Sequence, residues 1–147
     1  MAKTERLDPE RRRRVNAERS RKGRSRVAKA ERLPRQIELA VRAAEDKKAQ
    51  DITVLDLRNA HGFTDYFVIC SGANSRQIHA IADGITDTLA AAGTKPAHVE
   101  GYDKSEWVLV DYFDFIVHVF SPDTRAFYGL ERLWGTAERL DIAAAPR

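Results

Sequence analysis

The chain has 147 residues and a formal net charge of +3, which is enough length for one ordinary domain. Its only cysteine, Cys70, excludes an intrachain disulfide and a cysteine-based zinc site, and it favours a reducing compartment. Apolar runs are far shorter than the roughly 20 residues that a membrane-spanning helix needs. We therefore expect a cytoplasmic protein that does not cross a membrane.

Charge is distributed unevenly along the chain. Residues 1–35 carry 14 basic and 5 acidic side chains, a net charge of +9, whereas residues 36–147 carry 11 and 17, a net charge of −6. Residues 1–33 hold few large apolar side chains, so burial cannot offset the roughly 1–2 kcal/mol that ordering each residue costs. We predict a disordered basic arm that either contacts RNA or stays solvated. Its candidate RNA-binding residues are Arg11, Arg12, Arg13, Arg14, Arg19, Arg21, Lys22, Arg24 and Arg26.

The predicted domain, residues 34–136, begins with a helix and two strands. Pro34 suits the first turn of a helix, and apolar residues then recur at helical spacing as far as Lys48. Strands over residues 52–57 and 66–71 are separated by a short loop around Gly62, which predicts an antiparallel pair.

A second helix and a short strand follow. Asn74 or Ser75 supplies the N-cap, and apolar residues recur at intervals of three and four up to Ala92. Residues 97–100 form a predicted third strand, reached from the second by a right-handed crossover.

Residues 107–120, WVLVDYFDFIVHVF, predict a β-hairpin that turns at residues 111–114. Its nearly continuous apolar character is typical of strands covered on both faces, near the middle of a sheet. Trp107, Asp111, Tyr112 and Asp114 fit such burial poorly and are therefore candidate functional residues.

The last predicted helix begins at Pro122 and turns Phe127, Leu130, Leu133 and Trp134 to the core, and residues 137–147 are predicted to form a loose tail. The element order αββαβββα predicts an α/β fold: a mixed five-stranded sheet flanked by helices.

An enzymatic function has limited support in the sequence. Ser71-Gly72 before a helix, followed by carboxylates at Asp111 and Asp114, resembles the outline of a metal-dependent nucleotidyltransferase. Those carboxylates are three residues apart across a turn, however, whereas two ligands on one strand face would alternate. The four histidines lack ligand spacing. We predict no catalytic residue, metal or cofactor, and keep a divergent nucleotidyltransferase as an alternative hypothesis.

Binding to a protein is better supported. Strand alternation places Trp107 and Asp111 on one face and Tyr112 on the other, at the turn, where its ring can swing outward. Tryptophan and tyrosine are enriched among interface residues that dominate affinity. Negative charge surrounds them and predicts a basic partner; it comes from Glu100, Asp103, Glu106, Asp111 and Asp114. The alternative is that Trp107 is an ordinary core residue.

A series of motifs occurs in order between residues 35 and 135: Asp51-Ile52, Leu55-Asp56-Leu57, Thr64-Asp65-Tyr66-Phe67-Val68-Ile69, Ser71-Gly72, Ser75-Arg76-Gln77, Ala80-Ile81-Ala82-Asp83, Glu100-Gly101, Trp107-Val108-Leu109-Val110-Asp111-Tyr112, Asp114, Val117-His118-Val119-Phe120, Arg125 and Tyr128-Gly129-Leu130-Glu131-Arg132-Leu133-Trp134. Together they resemble the ribosomal silencing factor RsfS, or Iojap, family.

The resemblance implies a nucleotidyltransferase-like fold without an active site and a translational repressor that is not an enzyme. Family members bind the large ribosomal subunit through its fourteenth protein and sterically block joining of the small subunit when nutrients are short. By resemblance, Trp107, Asp111 and Tyr112 contact that basic protein, and the basic arm lies along ribosomal RNA. Some members form homodimers when free. An RNA-binding adaptor driven by the arm is a further alternative.

Overall fold

The computed structural model describes residues 33–60 and 64–142. The helices are α1 (Arg35–Asp46), α2 (Ser75–Ala91), α3 (Pro122–Tyr128) and α4 (Leu130–Leu133). The strands are β1 (Gln50–Asp56), β2 (Tyr66–Ser71), β3 (His98–Glu100), β4 (Trp107–Asp111), β5 (Phe115–Phe120) and β6 (Glu138–Leu140). The candidate RNA-binding residues, Arg11 to Arg26, lie outside the described residues.

One mixed sheet joins these strands in the order β3-β4-β5-β2-β1-β6. β2 and β5 are parallel, whereas the other four neighbouring pairs are antiparallel. The predicted α/β class, the β1–β2 pair and the β4–β5 hairpin are confirmed, as is the central position of β5, which is buried along its whole length. The likeness to nucleotidyltransferases stays a prediction.

The sheet of the described chain has six strands, so the predicted count of five is wrong. β6 pairs antiparallel with β1 inside the segment that the sequence predicted to be a loose tail. Leu140 and Ile142 also pack against the core. Three residues are too few to show strand alternation, and the pairing partner lies more than 80 residues earlier in the chain, so the local pattern could not reveal this strand.

The two faces of the sheet are covered differently. On the back face, α1 and α2 pack over Val54, Val68, Val110 and Val117 to form the larger core. Leu33, which was predicted to belong to the arm, is also buried in this core. On the front face, a smaller cluster of buried residues is covered by Ala60 and by the segment from α4 to Ala137. This cluster comprises Leu55, Leu57, Phe67, Ile69, Ile116 and Phe120.

The single last helix of the prediction is two short helices. Gly129 adopts a left-handed conformation with φ of 57° between α3 and α4. Leu130 and Trp134 pack against the front-face cluster as expected, but Phe127 is 78% and Leu133 is 73% exposed. The prediction for these two side chains was wrong because helical periodicity holds only within one continuous helix.

Gly101 provides a test of how strictly the backbone before β4 is constrained. Its φ is 78°, and a β-carbon there would lie 2.1 Å from the carbonyl oxygen of Trp107, a backbone atom that cannot move aside. We expect Gly101→Ala to lower the free energy of unfolding by at least about 2 kcal/mol in urea titrations.

Gly84→Ala in the middle of α2 is the matched control. The nearest atoms to its added β-carbon belong to the flexible side chain of Lys47, at 3.3 Å. Alanine is a better helix former than glycine, so this substitution should raise the free energy of unfolding by up to about 1 kcal/mol. Equal and small effects of the two substitutions would show that the turn before β4 tolerates adjustment.

Candidate docking surface

Trp107 begins β4 on the front face, and its indole is half-buried. Its Nε1 donates a hydrogen bond of 3.0 Å to Nδ1 of His118 on the neighbouring strand. The ring centroid lies 5.0 Å from that of Phe120 and 4.8 Å from that of Tyr128. The indole is therefore held by several contacts at one edge of the core, and it remains partly accessible to solvent.

His118 is the buried partner that orients this indole. Because Nδ1 accepts the hydrogen bond from Trp107, the ring proton of the neutral imidazole lies on Nε2, which is buried and has no hydrogen-bond partner within the described chain. Burial lowers the pKa of His118 to about 3. The edge-on ring of Phe67, at a centroid distance of 4.5 Å, completes the enclosure. His118 is thus a neutral, fixed acceptor.

An exposed apolar surface extends outward from Trp107. Tyr128 is 51% exposed beside it and contacts Phe127, with ring centroids 5.0 Å apart. Leu109 is half-buried on the same face of β4. We call Trp107, Leu109, Phe127 and Tyr128 the aromatic patch. Exposed apolar surface of this kind is typical of an interaction site. Phe127 and Tyr128 were not among the predicted site residues, because the helical pattern places Phe127 in the core.

Acidic residues lie along one side of the aromatic patch. Glu100 is exposed on the edge strand β3, where its register partner is Leu109, so both side chains lie on the front face. Glu106 and Asp103 are exposed in and beside the turn that leads into β4. The expected negative charge near Trp107 is therefore present, and it would favour a basic partner.

Asp111 and Asp114 lie at the far end of the hairpin from Trp107. Four residues of strand, about 13 Å, separate Asp111 from Trp107. Asp111 is 7% exposed, and its Oδ1 accepts a hydrogen bond of 2.8 Å from the backbone N–H of Phe113 in the turn. Asp114 is exposed in that turn. The structure therefore does not bring these two carboxylates together with Trp107, and Asp111 has a structural role.

Tyr112 does not swing outward, which corrects the expectation for this side chain. It is 5% exposed on the back face and stacks on Phe115 at a centroid distance of 4.8 Å. Burial raises the pKa of its hydroxyl to about 12. The alternation of β4 continues to Tyr112, the first residue after the strand, and places its ring between the sheet and the helices.

The geometry separates the residues that a nucleotidyltransferase would have to combine. Ser71 is level with Phe120 at one end of the sheet, whereas Asp111 is level with Ile116 and Phe67 at the other. Ser71 instead accepts a hydrogen bond of 2.9 Å from Arg125. Within residues 33–60 and 64–142, no group of three or more His, Cys, Asp or Glu side chains is placed to hold a metal ion.

Comparison with known proteins identifies the family. A model of the family described as "Ribosomal silencing factor during starvation" matches residues 30–147. The chain belongs to the ribosomal silencing factor (RsfS) family. The RsfS of Bacillus subtilis strain 168 is 42% identical over 106 residues, which cover 72% of this chain and 90% of that protein. The resemblance drawn from the sequence motifs is confirmed.

Structural and organellar relatives of the RsfS family also match. A Chromobacterium violaceum protein of known crystal structure is 37% identical with a TM-score of 0.66, over 68% of this chain and 83% of that one. The mouse protein named "Mitochondrial assembly of ribosomal large subunit protein 1" is 33% identical, over 67% of this chain and 44% of its own length. Among the helices that the structure describes, none is long and apolar enough to cross a membrane.

His118 predicts a specific dependence of stability on pH. Its pKa is about 3 in the folded chain and about 6.5 when unfolded, so between these values the unfolded state binds more protons. Stability is therefore lost as the pH falls below about 6.5. Between pH 7 and pH 5, protonation of His118 in the unfolded state should lower the free energy of unfolding by about 2 kcal/mol, measured by urea unfolding at both pH values.

His118→Gln should remove that part of the pH dependence, because glutamine does not titrate. His98→Gln is the control, since the side chain of His98 is 56% exposed, and this variant should lose stability between the two pH values as the parent chain does. A His118→Gln protein with the full pH-dependent loss would show that His118 is not buried in its neutral form.

Proposed function

We propose that this protein represses translation in the cytoplasm by docking its aromatic patch on the fourteenth protein of the large ribosomal subunit. The docked protein sterically blocks joining of the small subunit when nutrients are short. The observation that carries the proposal is the half-exposed indole of Trp107, locked by His118 and continued by the exposed rings of Tyr128 and Phe127. The family name supports an action on the ribosome during starvation, and the name of the mouse relative supports the choice of the large subunit.

A steric mechanism needs only occupancy of the subunit surface and no chemical step. A domain of roughly 110 residues has a radius of gyration of about 13 Å, so a docked copy would hold an opposing surface some 20 Å away or more. No contact between the two subunits could form at that place. Repression would then depend on the concentration of the protein and on its affinity for the large subunit.

The affinity should be concentrated in a few side chains. Aromatic side chains that become fully buried at an interface typically contribute about 2 kcal/mol or more each when removed, which is about thirtyfold in affinity. Phe127 is the most exposed large apolar residue of the described chain and has the most surface to bury. The acidic rim at Glu100 and Glu106 would act mainly on association rate and on partner choice.

Subunit joining provides the direct functional test. In sedimentation assays with purified subunits, the parent protein should keep them apart, whereas Trp107→Ala and Phe127→Ala should need about thirtyfold more protein for the same inhibition. Phe127→Ala is the cleaner variant because Phe127 is 78% exposed and belongs to neither core cluster of the described chain. Trp107→Ala also removes contacts to His118 and Phe120.

Val99→Ala is the matched control. Val99 is 41% exposed on β3 and pairs with Val110, so its side chain lies on the opposite face from the aromatic patch. This variant should inhibit joining as well as the parent chain. If Phe127→Ala and Trp107→Ala also inhibit fully, the aromatic patch is not the docking surface.

The basic arm supports a second contact, with ribosomal RNA, because residues 1–35 carry a net charge of +9. Each phosphate neutralised by a lysine or arginine adds roughly 0.7–0.9 to the salt slope of binding. Deletion of residues 1–32, which retains the buried Leu33, should therefore weaken large-subunit binding and flatten its salt dependence. Equal affinities and slopes for the full and truncated chains would exclude an RNA contact by the arm.

A further inference from the structure

An open cleft of about 700 Å³ lies on the front face, between the ends of β1 and β2, the two short helices α3 and α4, and β6. Its lining includes three arginines, Arg125, Arg132 and Arg139, and two carboxylates, Asp51 and Glu131, so the lining has a net charge of 3 − 2 = +1. Sites for small ligands typically have volumes of about 300–1,000 Å³. The proposed docking of a ribosomal protein makes no use of this cleft.

Arg125 forms the floor of the cleft and is held rigidly. Its Nε and Nη2 donate to the two carboxylate oxygens of Glu131, at 2.9 and 3.0 Å. Nη1 donates to Ser71 and Nη2 to Thr53. These bonds use four of the five guanidinium N–H groups, which leaves one Nη1 proton without an acceptor in the described part of the chain.

Ser71 adds a second donor beside Arg125. Its hydroxyl oxygen accepts the hydrogen bond from Arg125, and its own proton has no acceptor in the residues that the structure describes. A hydroxyl that accepts one hydrogen bond can still donate another. Ser71 is 3% exposed at the end of β2, so this donor is fixed by the sheet.

Arg132 and Arg139 supply positive charge at the mouth of the cleft. Both are exposed, and the guanidinium of Arg132 lies over Gly129, with Nη2 only 2.8 Å from the place a β-carbon would occupy. Glu131 is committed to Arg125, whose hydrogen bonds lower the pKa of the Glu131 carboxyl, with a smaller contribution from Arg139. Since Glu131 neutralises Arg125, the two exposed arginines and the single carboxylate of Asp51 remain, and their net charge of +1 favours an external anion.

We propose that this cleft binds phosphate groups, carried either by a nucleotide or by an RNA backbone. Apart from the exposed carboxylate of Asp51, the charged groups of the lining that Glu131 does not neutralise are the arginines Arg132 and Arg139. Phosphate oxygens are anionic acceptors, which arginine recognises through paired N–H groups. Ser71, Phe120 and Trp107 share one row of the sheet register. The cleft therefore begins about 10 Å from the indole, two strand spacings away, on the same face as the aromatic patch.

Nuclear magnetic resonance titrations of the full chain can test the proposal residue by residue. The probes are adenosine triphosphate and a short single-stranded RNA, each compared with chloride at equal ionic strength. We expect saturable shifts of the backbone amides at residues 50–51, 71 and 129–135. Signals of the basic arm are read separately, so binding there does not obscure the cleft. Response to the triphosphate alone would assign a nucleotide, and response to RNA would assign a polynucleotide backbone; either supports the proposal.

In the double variant Arg132→Ala/Arg139→Ala, the dissociation constant obtained from these shifts should rise by tenfold or more. Each lost charge-assisted contact is worth on the order of tenfold in affinity. Both side chains are exposed, so the fold should persist. Arg76→Ala removes an exposed charge on α2, outside the cleft, and should leave the titration unchanged. Absence of saturable shifts with both probes, or shifts that survive in the double variant, would overturn the proposal, whether or not the aromatic patch proves to dock on the ribosome.

Discussion

The register of β5 between β4 and β2 determines which side chains meet on the front face of the sheet. Pairing of Phe120 with Trp107 on one side and with Ser71 on the other aligns an indole, a buried ring and a hydroxyl across three strands. The same register sets Leu109 beside His118, and it brings the imidazole within hydrogen-bond reach of the indole. A shift by one residue would turn these side chains to the back face and remove both the aromatic patch and the floor of the cleft.

A fixed aromatic surface suits a protein that acts by occupying a site. The indole of Trp107 is oriented by a buried acceptor, so little side-chain freedom remains to be lost on binding. The neutral state of His118 also keeps that orientation unchanged over the physiological pH range. Phe127 and Tyr128 project from the short helix α3, which contributes no buried residue. The exposed apolar area of the front face therefore takes no side chain of α3 from the core.

Local sequence patterns predicted the parts of the fold that they contain. The run YFVICS matches β2 at both ends, and Asn74 caps α2 through its side chain as expected. Alternation along β4 correctly separated Trp107 and Leu109 from Val108 and Val110.

β6 could not be predicted, because its three residues become a strand only by pairing with β1. Phe127 was misplaced because the sequence does not show that the helix breaks at Gly129. The hydrogen bond from the turn to Asp111 depends on the turn conformation and could not be read from the sequence.

Site-specific photo-crosslinking can show whether the aromatic patch contacts the fourteenth protein of the large subunit. A photoreactive phenylalanine analogue replaces Phe127, the protein is bound to isolated large subunits, and the crosslinked partner is identified by mass spectrometry. We expect the fourteenth protein to dominate the products, and we expect the same analogue at Val99 to give little of this product. Crosslinks from position 127 to a different ribosomal protein, or equal yields from both positions, would contradict the proposed contact.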